Sequence, residues 1–232
     1  MTDSTVFKSP SGHPKALTRA SRVELERRVE LLRETGNLSS RVHNLTINDA
    51  DRWVWFRNAK VGTRTIQAFF DEQYPDGLMV LSEVPYPTAA FSDYFKFGFV
   101  RHPLDRFISA WQNKVCDTNH FRFAAARRER MQTIETFAEW VAGHDVDDLA
   151  TTDRHIVRQT RLLDLNQIDF VGRMETFAAD FGAVCDRIGL QWTEPERRNR
   201  SAPSGVTRSS ASQELRSIVE ETYRLDYQVF GY

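Results

Sequence analysis

The sequence has only two cysteines among 232 residues, Cys116 and Cys185, so it predicts neither a disulfide framework nor a cysteine-ligated metal site. It also lacks an excess of one charge: 31 Lys and Arg oppose 32 Asp and Glu, which is not typical of a general nucleic-acid binder. No apolar run approaches the roughly 20 residues of a membrane span, and none resembles a signal peptide. We therefore expect a cytoplasmic protein that binds neither nucleic acid nor a membrane.

Apolar residues, in contrast, are plentiful. They make up 41% of the chain and include sixteen Phe and five Trp, enough to form one substantial core without covalent cross-links. Residues 1–20 are rich in Ser, Thr, Pro and Gly and predict a flexible arm. A capping-box pattern at Ser21 and Glu24 predicts the start of a helix that ends at Gly36. We expect a single domain over residues 21–232.

Short apolar runs alternate with amphipathic segments along this domain. Such alternation is typical of strands in a sheet covered by helices. We therefore predict an α/β fold with three layers, a central and mainly parallel sheet, and helical decoration between residues 116 and 165. The predicted strands are Trp53–Phe56, Leu78–Leu81, Phe97–Val100 and Asp169–Gly172. The predicted helices are Arg64–Phe70, one beginning at Pro103, Thr133–Val141, Phe177–Ile188 and Ser212–Phe230.

The first segment that indicates chemistry runs from Trp53 to Phe70: a strand, a small-residue loop and a helix. The start of a helix presents backbone N–H groups at which a phosphate binds readily. Gly62 permits close approach of an anion, Lys60 adds positive charge, and Thr63 and Thr65 add hydroxyl donors. The loop is P-loop-like but not a Walker A motif, because the lysine precedes the glycine. The alternative is an ordinary turn with a surface lysine.

The second segment places Arg101 at the end of a strand and Ser109 eight positions later on the following helix. Ligands of open α/β sheets gather at the carboxyl ends of the strands. The arginine and the serine can therefore converge on one phosphate, with the guanidinium as a planar donor of several hydrogen bonds. The alternative makes Arg101 an ion-pair partner of Asp105 and Ser109 a surface residue.

Taken together and in this order, the two segments resemble the carbohydrate-type branch of the sulfotransferases that use 3′-phosphoadenosine-5′-phosphosulfate (PAPS). The family's Lys-x-Gly-(Ser/Thr)-x-(Ser/Thr) loop is similar to Ala59–Thr65, with Ala59 where the family usually has proline. Its Arg-x-Pro-x-x-Arg-x-x-Ser stretch is similar to Arg101–Ser109. Two later stretches, Ile168–Phe181 and Tyr223–Tyr232, also resemble this branch.

The resemblance implies that PAPS is the co-substrate and that the acceptor is a hydroxyl group of a saccharide or another hydroxylated small molecule. It implies that the loop binds the 5′-phosphosulfate, that Arg101 and Ser109 bind the 3′-phosphate, and that Lys60 stabilises the bridging oxygen as the nucleotide leaves. The expected nucleotide-binding residues are Lys60, Val61, Gly62, Thr63, Arg64, Thr65, Arg101, Ser109 and Arg200.

The acceptor hydroxyl also needs a general base. In the family this base is usually a Glu or a His near the cleft, and the sequence offers two candidates: Glu83, just past the predicted strand Leu78–Leu81, and His155. Each also fits an ordinary structural role, as a solvated acid or as a packed residue. No metal site is predicted, because the six histidines are scattered and have no second ligand at a useful spacing.

Two other functions remain open at this point. A P-loop kinase or NTPase is disfavoured by the position of the lysine. A catalytically silent PAPS-binding module is disfavoured because a pure binder does not need the lysine that serves the leaving group, Lys60. The sequence leaves the acceptor's identity and the oligomeric state open.

Overall fold

The computed structural model of this protein describes residues 37–193 and 205–232. The predicted arm, the helix predicted from Ser21 and the candidate ligand residue Arg200 lie outside the described residues. Among those described, no helix has the length and apolar character needed to cross a membrane. The chain separates into two compact units. Of the described residues, the first unit contains 37–57, 68–98 and 163–170. The second unit contains 58–67, 99–162, 171–193 and 205–232.

The described strands form a five-stranded sheet in the order β3–β1–β2–β4–β5. They are β1 (His43–Asn48), β2 (Trp53–Phe56), β3 (Met79–Val84), β4 (Phe95–Val100) and β5 (Phe170–Arg173). Strand β1 is antiparallel to both β2 and β3, whereas β2 and β4 are parallel. The α/β class is confirmed, but the sheet is mixed rather than mainly parallel.

Strand β1 is the element that the sequence did not predict. It joins β2 through residues 49–52 alone, and so short a connection permits only an antiparallel pair. Its apolar pattern is hidden because three polar residues of the strand are buried: His43 is 3% exposed, Thr46 0% and Asn48 1%. Buried polar side chains of this kind leave no hydrophobic run in the sequence.

The first unit buries aromatic side chains against both faces of the sheet. On one face, Phe70 of helix α1 (Thr63–Gln73) packs against Trp53 and Phe97, with ring centroids 4.7 and 6.2 Å away. On the other face, the ring of Phe56 lies 5.7 Å from that of Tyr86. Because β2 alternates between the two faces, its four buried residues anchor the strand from both sides and fix where the following loop begins.

The second unit contains the remaining α-helices of the described residues. They are α2 (Pro103–Trp111) with a π-helical turn (Gln112–Cys116), α3 (Ala125–Met131), α4 (Ile134–Ala142), α5 (Gln159–Leu162), α6 (Phe177–Arg187), α7 (Gln213–Thr222) and α8 (Arg224–Phe230). Helices α3, α4 and α5 confirm the predicted helical decoration. One apolar cluster joins α2, α4 and α7, with Phe107, Phe137 and Leu215 among its members.

The predicted helix Ser212–Phe230 is two helices that meet at Tyr223. The backbone leaves the helical region there, with φ −107° and ψ 21°, and the buried hydroxyl of Tyr223 donates to the carbonyl of Ile156 at 2.6 Å. The turn brings the buried carboxylate of Asp226 to the N–H groups of Gln159 and Thr160, at 2.8 and 2.9 Å. These contacts are long-range, so the helical periodicity of the sequence does not reveal the break.

Candidate functional site

The loop after β2 turns tightly into helix α1. The carbonyl of Gly62 accepts hydrogen bonds from the N–H groups of Thr65 and Ile66, at 2.9 and 3.1 Å. Gly62 has φ 71°, and a Cβ atom there would lie 2.9 Å from the Cε of Met174. The conformation favours glycine at this position, whereas the flexible end of the Met174 side chain could move to admit a Cβ atom. The turn leaves the first N–H groups of α1 without intrahelical partners.

The loop residues differ in how they can meet a ligand. The hydroxyl of Thr63 donates to the carbonyl of Asn58 within the loop, and the side chain of Val61 is fully buried, so Val61 can offer only its backbone. Arg64 and Thr65 are exposed. Lys60 has φ 69°, a conformation that costs a non-glycine residue on the order of 1–3 kcal/mol and is often found at functional sites.

Positive charge is concentrated around Lys60. Burial, the largest cause, and the charges of Lys114, Arg64 and Arg101 together lower the pKa of Lys60 to about 8, while Asp117 opposes them. Four cationic side chains therefore act together against one carboxylate, which is an environment that attracts an anion. Lys114 was not predicted as a site residue. It lies in the π-helical turn, a kind of irregularity that is frequent at functional sites.

Arg101 directly follows β4, as predicted, and Gln159 holds its backbone. The Arg101 N–H donates to the Gln159 Oε1 at 2.9 Å, and the Gln159 Nε2 donates to the Arg101 carbonyl at 2.8 Å. The same Oε1 accepts a hydrogen bond of 3.3 Å from the amide of Asn58, so one side chain joins the loop to the end of the strand. In the described structure Asp105 pairs with Arg208 at 3.7 Å, and not with Arg101.

Helix α2 contributes Ser109 and a buried arginine. Ser109 is half-buried, whereas Arg106 is 2% exposed. The Arg106 guanidinium donates to the carbonyls of Ala59 at 3.0 Å, Val157 at 2.8 Å and Arg154 at 3.1 Å. Burial lowers the pKa of this guanidinium. Arg106 thus connects α2 to the residue before the loop lysine and to the segment that carries the candidate base.

That candidate base, His155, belongs to a cluster of three side chains. Its Nδ1 lies 2.7 Å from one oxygen of Asp153, and the Nε2 of His120 lies 2.8 Å from the other. The two imidazole rings are 4.9 Å apart. The sequence predicted no metal site because no histidine has a second ligand at a useful spacing, yet the fold brings together three side chains whose ligand atoms could hold a metal ion. Linear spacing missed it because His120 and Asp153 are 33 positions apart.

The charges of the cluster suit a histidine base. Burial lowers the pKa of His155, and Lys114 and His120 lower it further, while Asp153 opposes them. Burial also disfavours the charged form of Asp153, but hydrogen bonds from both histidines outweigh it and lower the pKa of that carboxyl. Near neutral pH a neutral imidazole therefore faces a carboxylate. The carboxylate orients the Nδ1–H, which leaves the Nε2 of His155 as a proton acceptor.

Glu83, the other predicted base, belongs to the first unit. It lies within β3 and not past its end, because pairing of His43 with Val84 extends the strand. Its backbone N–H donates to the side-chain oxygen of Asn44 at 2.8 Å, and its side chain is exposed. Lys60, Arg101, Ser109 and His155 all belong to the second unit. The functional roles of these four residues and of Glu83 stay predictions.

The sequence model of the sulfotransferase family matches residues 43–232. Carbohydrate sulfotransferase 14 of Danio rerio is 26% identical to this chain, over an alignment that covers 60% of the chain and 44% of that protein. The chain therefore matches less than half the length of this curated relative, and no solved structure gives a significant match. Because the family match extends over most of the chain and includes both segments predicted to bind anions, this protein belongs to the sulfotransferase family.

Proposed function

We propose that this protein transfers a sulfuryl group from PAPS to a hydroxyl group of a saccharide or a related small-molecule acceptor. The observation that carries the proposal is that one compact unit contains both the cation-rich loop around Lys60 and the carboxylate-oriented His155. Arg106 is hydrogen-bonded to both segments. Membership of the family supports sulfuryl transfer, and similarity to a carbohydrate sulfotransferase supports a saccharide acceptor.

The donor nucleotide binds through its two anionic ends. The 5′-phosphosulfate lies at the start of α1, where backbone N–H groups and the helix dipole favour an anion. Gly62 permits the close approach, and Lys60 adds charge. The 3′-phosphate is bound by Arg101 and Ser109. Support for this role is that Arg101 makes no ion pair with an acidic side chain in the described part of the chain, so its guanidinium is free to form a bidentate contact.

The transfer is an in-line displacement at sulfur. The acceptor oxygen forms a bond to sulfur while the bond between sulfur and the bridging phosphate oxygen breaks, and the electron pair of that bond leaves with adenosine 3′,5′-bisphosphate. The ammonium of Lys60 stabilises the charge that develops on the bridging oxygen, where a fixed donor has its largest effect in the transition state. The cationic side chain of Lys114 acts at the same place, since it influences both Lys60 and His155.

His155 is the base that we propose for the acceptor hydroxyl. Its Nε2 takes the hydroxyl proton as the new bond forms, and Asp153 stabilises the imidazolium that results. Lys114 influences both His155 and Lys60, which supports a role for the base and the leaving-group lysine in one reaction. His120 contacts the second oxygen of Asp153 and positions that carboxylate.

A coupled assay tests the proposed function. The purified protein is incubated with PAPS and a panel of saccharides and other hydroxylated compounds, and formation of adenosine 3′,5′-bisphosphate is measured with and without acceptor. We expect acceptor-dependent formation of this product and a sulfated acceptor of the corresponding mass. Tight binding of the nucleotide without transfer to any acceptor would instead establish a silent binding module, and turnover of ATP without PAPS binding would establish a kinase or NTPase.

The same assay identifies the base. We expect His155→Asn to lower kcat on the order of 10²–10⁴-fold with nucleotide affinity nearly unchanged. Glu83→Gln removes the alternative base in the same way, and its kcat should stay within about twofold of that of the wild type. The reverse pattern would transfer the role of base to Glu83.

A further inference from the structure

Three side chains of the second unit, His120, Asp153 and His155, form what we call the histidine cluster. One ligand atom of each lies within 4.8 Å of the other two, and no other three His, Cys, Asp or Glu side chains of the described residues meet in this way. We propose that the histidine cluster binds one zinc ion and that the bound ion inhibits the protein. The binding depends only on the geometry of the cluster, whereas the inhibition rests on the proposed function.

The ligand types of the cluster are those that zinc prefers. Two imidazole nitrogens and one carboxylate oxygen are a ligand set of zinc sites that keep a fourth position open for water. Imidazole favours zinc and related transition metals, whereas magnesium and calcium prefer sites built from oxygen alone. The cluster is therefore expected to select zinc over the magnesium that accompanies nucleotides.

The separations in the cluster are close to those of a tetrahedral site. The Nδ1 of His155 lies 2.7 Å from one oxygen of Asp153, and the Nε2 of His120 lies 2.8 Å from the other. Zinc bonds of about 2.0–2.1 Å place two ligand atoms of a tetrahedron about 3.3 Å apart, so each nitrogen needs to move only roughly 0.5 Å from its carboxylate oxygen. Small rotations of the side chains supply such a shift. The two hydrogen bonds are then replaced by bonds to the metal.

The backbone holds these side chains in place before any ion arrives. The His155 N–H donates to a carboxylate oxygen of Asp153 at 2.8 Å, and the buried Arg106 donates to the carbonyl of the residue between them at 3.1 Å. On the other side of the cluster, the His120 N–H donates to the carbonyl of Lys114 at 3.0 Å. Ligands that are already positioned lose little conformational freedom when they bind, so the backbone does not need to rearrange.

An ion can reach the cluster from solvent. The side chains of His120 and Asp153 are 35% and 31% exposed, which leaves room for a water molecule as the fourth ligand. The carboxylate of Asp153 favours a dication, whereas the charge of Lys114, which acts on His155, opposes it. Because these two charges oppose each other, we expect moderate affinity and reversible binding.

Zinc binds the nitrogen through which Asp153 orients the proposed base. When a metal takes the Nδ1 of a neutral imidazole, the ring proton lies on the Nε2. The Nε2 of His155 then has no lone pair with which to accept the proton of the acceptor hydroxyl. Occupancy of the cluster should therefore stop proton removal without occupying the loop around Lys60. The proposed transfer uses no metal, so the ion acts as a reversible inhibitor and not as a cofactor.

Calorimetry measures the binding directly. The purified chain is freed of metal by chelator, dialysed, and titrated with zinc chloride in a buffer that does not bind metals. We expect one ion per chain for the wild type. His120→Gln should weaken zinc binding at least about tenfold, since loss of even an outer partner of a metal ligand commonly costs about 10–100-fold. His144→Gln removes an imidazole outside the cluster, and its zinc affinity should match that of the wild type.

A second variant at the same position keeps the binding test independent of folding defects. His120→Glu has the shape of His120→Gln but supplies a carboxylate oxygen of similar reach. It should therefore bind zinc more tightly than His120→Gln, which a general loss of folding does not explain. The zinc site is overturned if the wild type binds no zinc, or if His120→Gln binds zinc as tightly as the wild type.

The transfer assay tests the inhibition. The rate of each protein with zinc is divided by its own rate without zinc, so that changes in basal activity cancel. Saturating zinc should lower this ratio at least about 10²-fold for the wild type, and excess chelator should restore it. The ratio for His120→Gln should stay near one at the same zinc concentration. If zinc binds the cluster and the rate does not change, the site stands, but the inhibition and the role of His155 as base are both refuted. If no acceptor is sulfated at all, the proposed function fails and calorimetry still decides the zinc site.

Discussion

Replacement of Arg106 by lysine tests whether activity depends on a buried guanidinium that has no proposed role in the reaction itself. The wild-type side chain donates to three backbone carbonyls, those of Ala59, Arg154 and Val157. A change of Arg106 to leucine instead would leave the three carbonyls buried and unpaired, at a cost of about 1–3 kcal/mol each. That loss of stability is comparable to the whole stability of a typical domain. Lysine keeps the charge but lacks the planar fork, so it can satisfy only part of this set.

The expected magnitudes follow from these contacts. Loss of one or two hydrogen bonds should lower the free energy of unfolding by about 2 kcal/mol, which corresponds to roughly 4–8 °C in Tm for a chain of this size. The carbonyl of Ala59 directly precedes Lys60, so the loop should also shift, and a misplacement of about 1 Å can cost 10²-fold in rate. We expect Arg106→Lys to lower kcat at least about tenfold at a temperature where the variant is fully folded.

The control is Arg216→Lys, an arginine in α7 that donates to the carbonyl of Ala211 at 3.2 Å and also to that of Arg208. It should lower Tm slightly and leave kcat unchanged. Tm is measured by thermal unfolding and kcat by release of adenosine 3′,5′-bisphosphate. If Arg106→Lys lowers Tm but matches the control in kcat, Arg106 only stabilises the fold and its positioning role is refuted.

Five further predictions follow from the same site. Lys60→Ala should lower kcat by roughly 10²-fold and weaken binding of adenosine 3′,5′-bisphosphate much less. If kcat and nucleotide affinity fall by equal factors, Lys60 binds the phosphate in the ground state and has no special role in the transition state. Since burial, together with the charges of Lys114, Arg64 and Arg101, lowers the pKa of Lys60 to about 8, kcat/KM should fall above about pH 8, and Lys60→Arg should remove that fall. Between about pH 8 and 10.5 the unfolded chain keeps a proton that folded Lys60 has lost, so this group makes the free energy of unfolding rise with pH. Arg101→Ala should reduce the preference for adenosine 3′,5′-bisphosphate over AMP from well over tenfold to near one, because a charge-assisted contact is lost. Excess chelator should leave the transfer rate within about twofold, and recovery of a lost rate by added metal would contradict this despite the ligand atoms of the histidine cluster.

Much of the fold could be predicted because several elements have a strong local signal. The apolar run Trp53–Phe56 has the same bounds as β2, and Pro103 marks the first residue of α2. Strand β1 could not be predicted, because its pattern depends on burying polar residues such as Thr46. The break at Tyr223 depends on a contact with Ile156, 67 positions away, that no periodicity encodes.

The same distinction applies to the site. The resemblance pointed to Lys60 and Arg101 because each lies in a short motif with its own spacing. Arg106 is part of the second motif, but its role depends on backbone carbonyls 47 to 51 positions away. Because every residue has a backbone carbonyl, the sequence does not show which ones Arg106 contacts. Gln159 contacts Asn58 across 101 positions, so only the folded chain reveals it.

Under the proposed function, the amide of Gln159 has a consequence for which nucleotides bind. It hydrogen-bonds the side chain of Asn58 and both backbone polar groups of Arg101. A rigid amide between two segments fixes the distance between them before any ligand arrives. Nucleotide binding then depends on the separation of two phosphates along the ribose. An isomer phosphorylated at the 2′ and 5′ positions has the same charge but a different separation between its phosphates. We therefore expect this protein to distinguish nucleotides of equal charge by the distance between their phosphates.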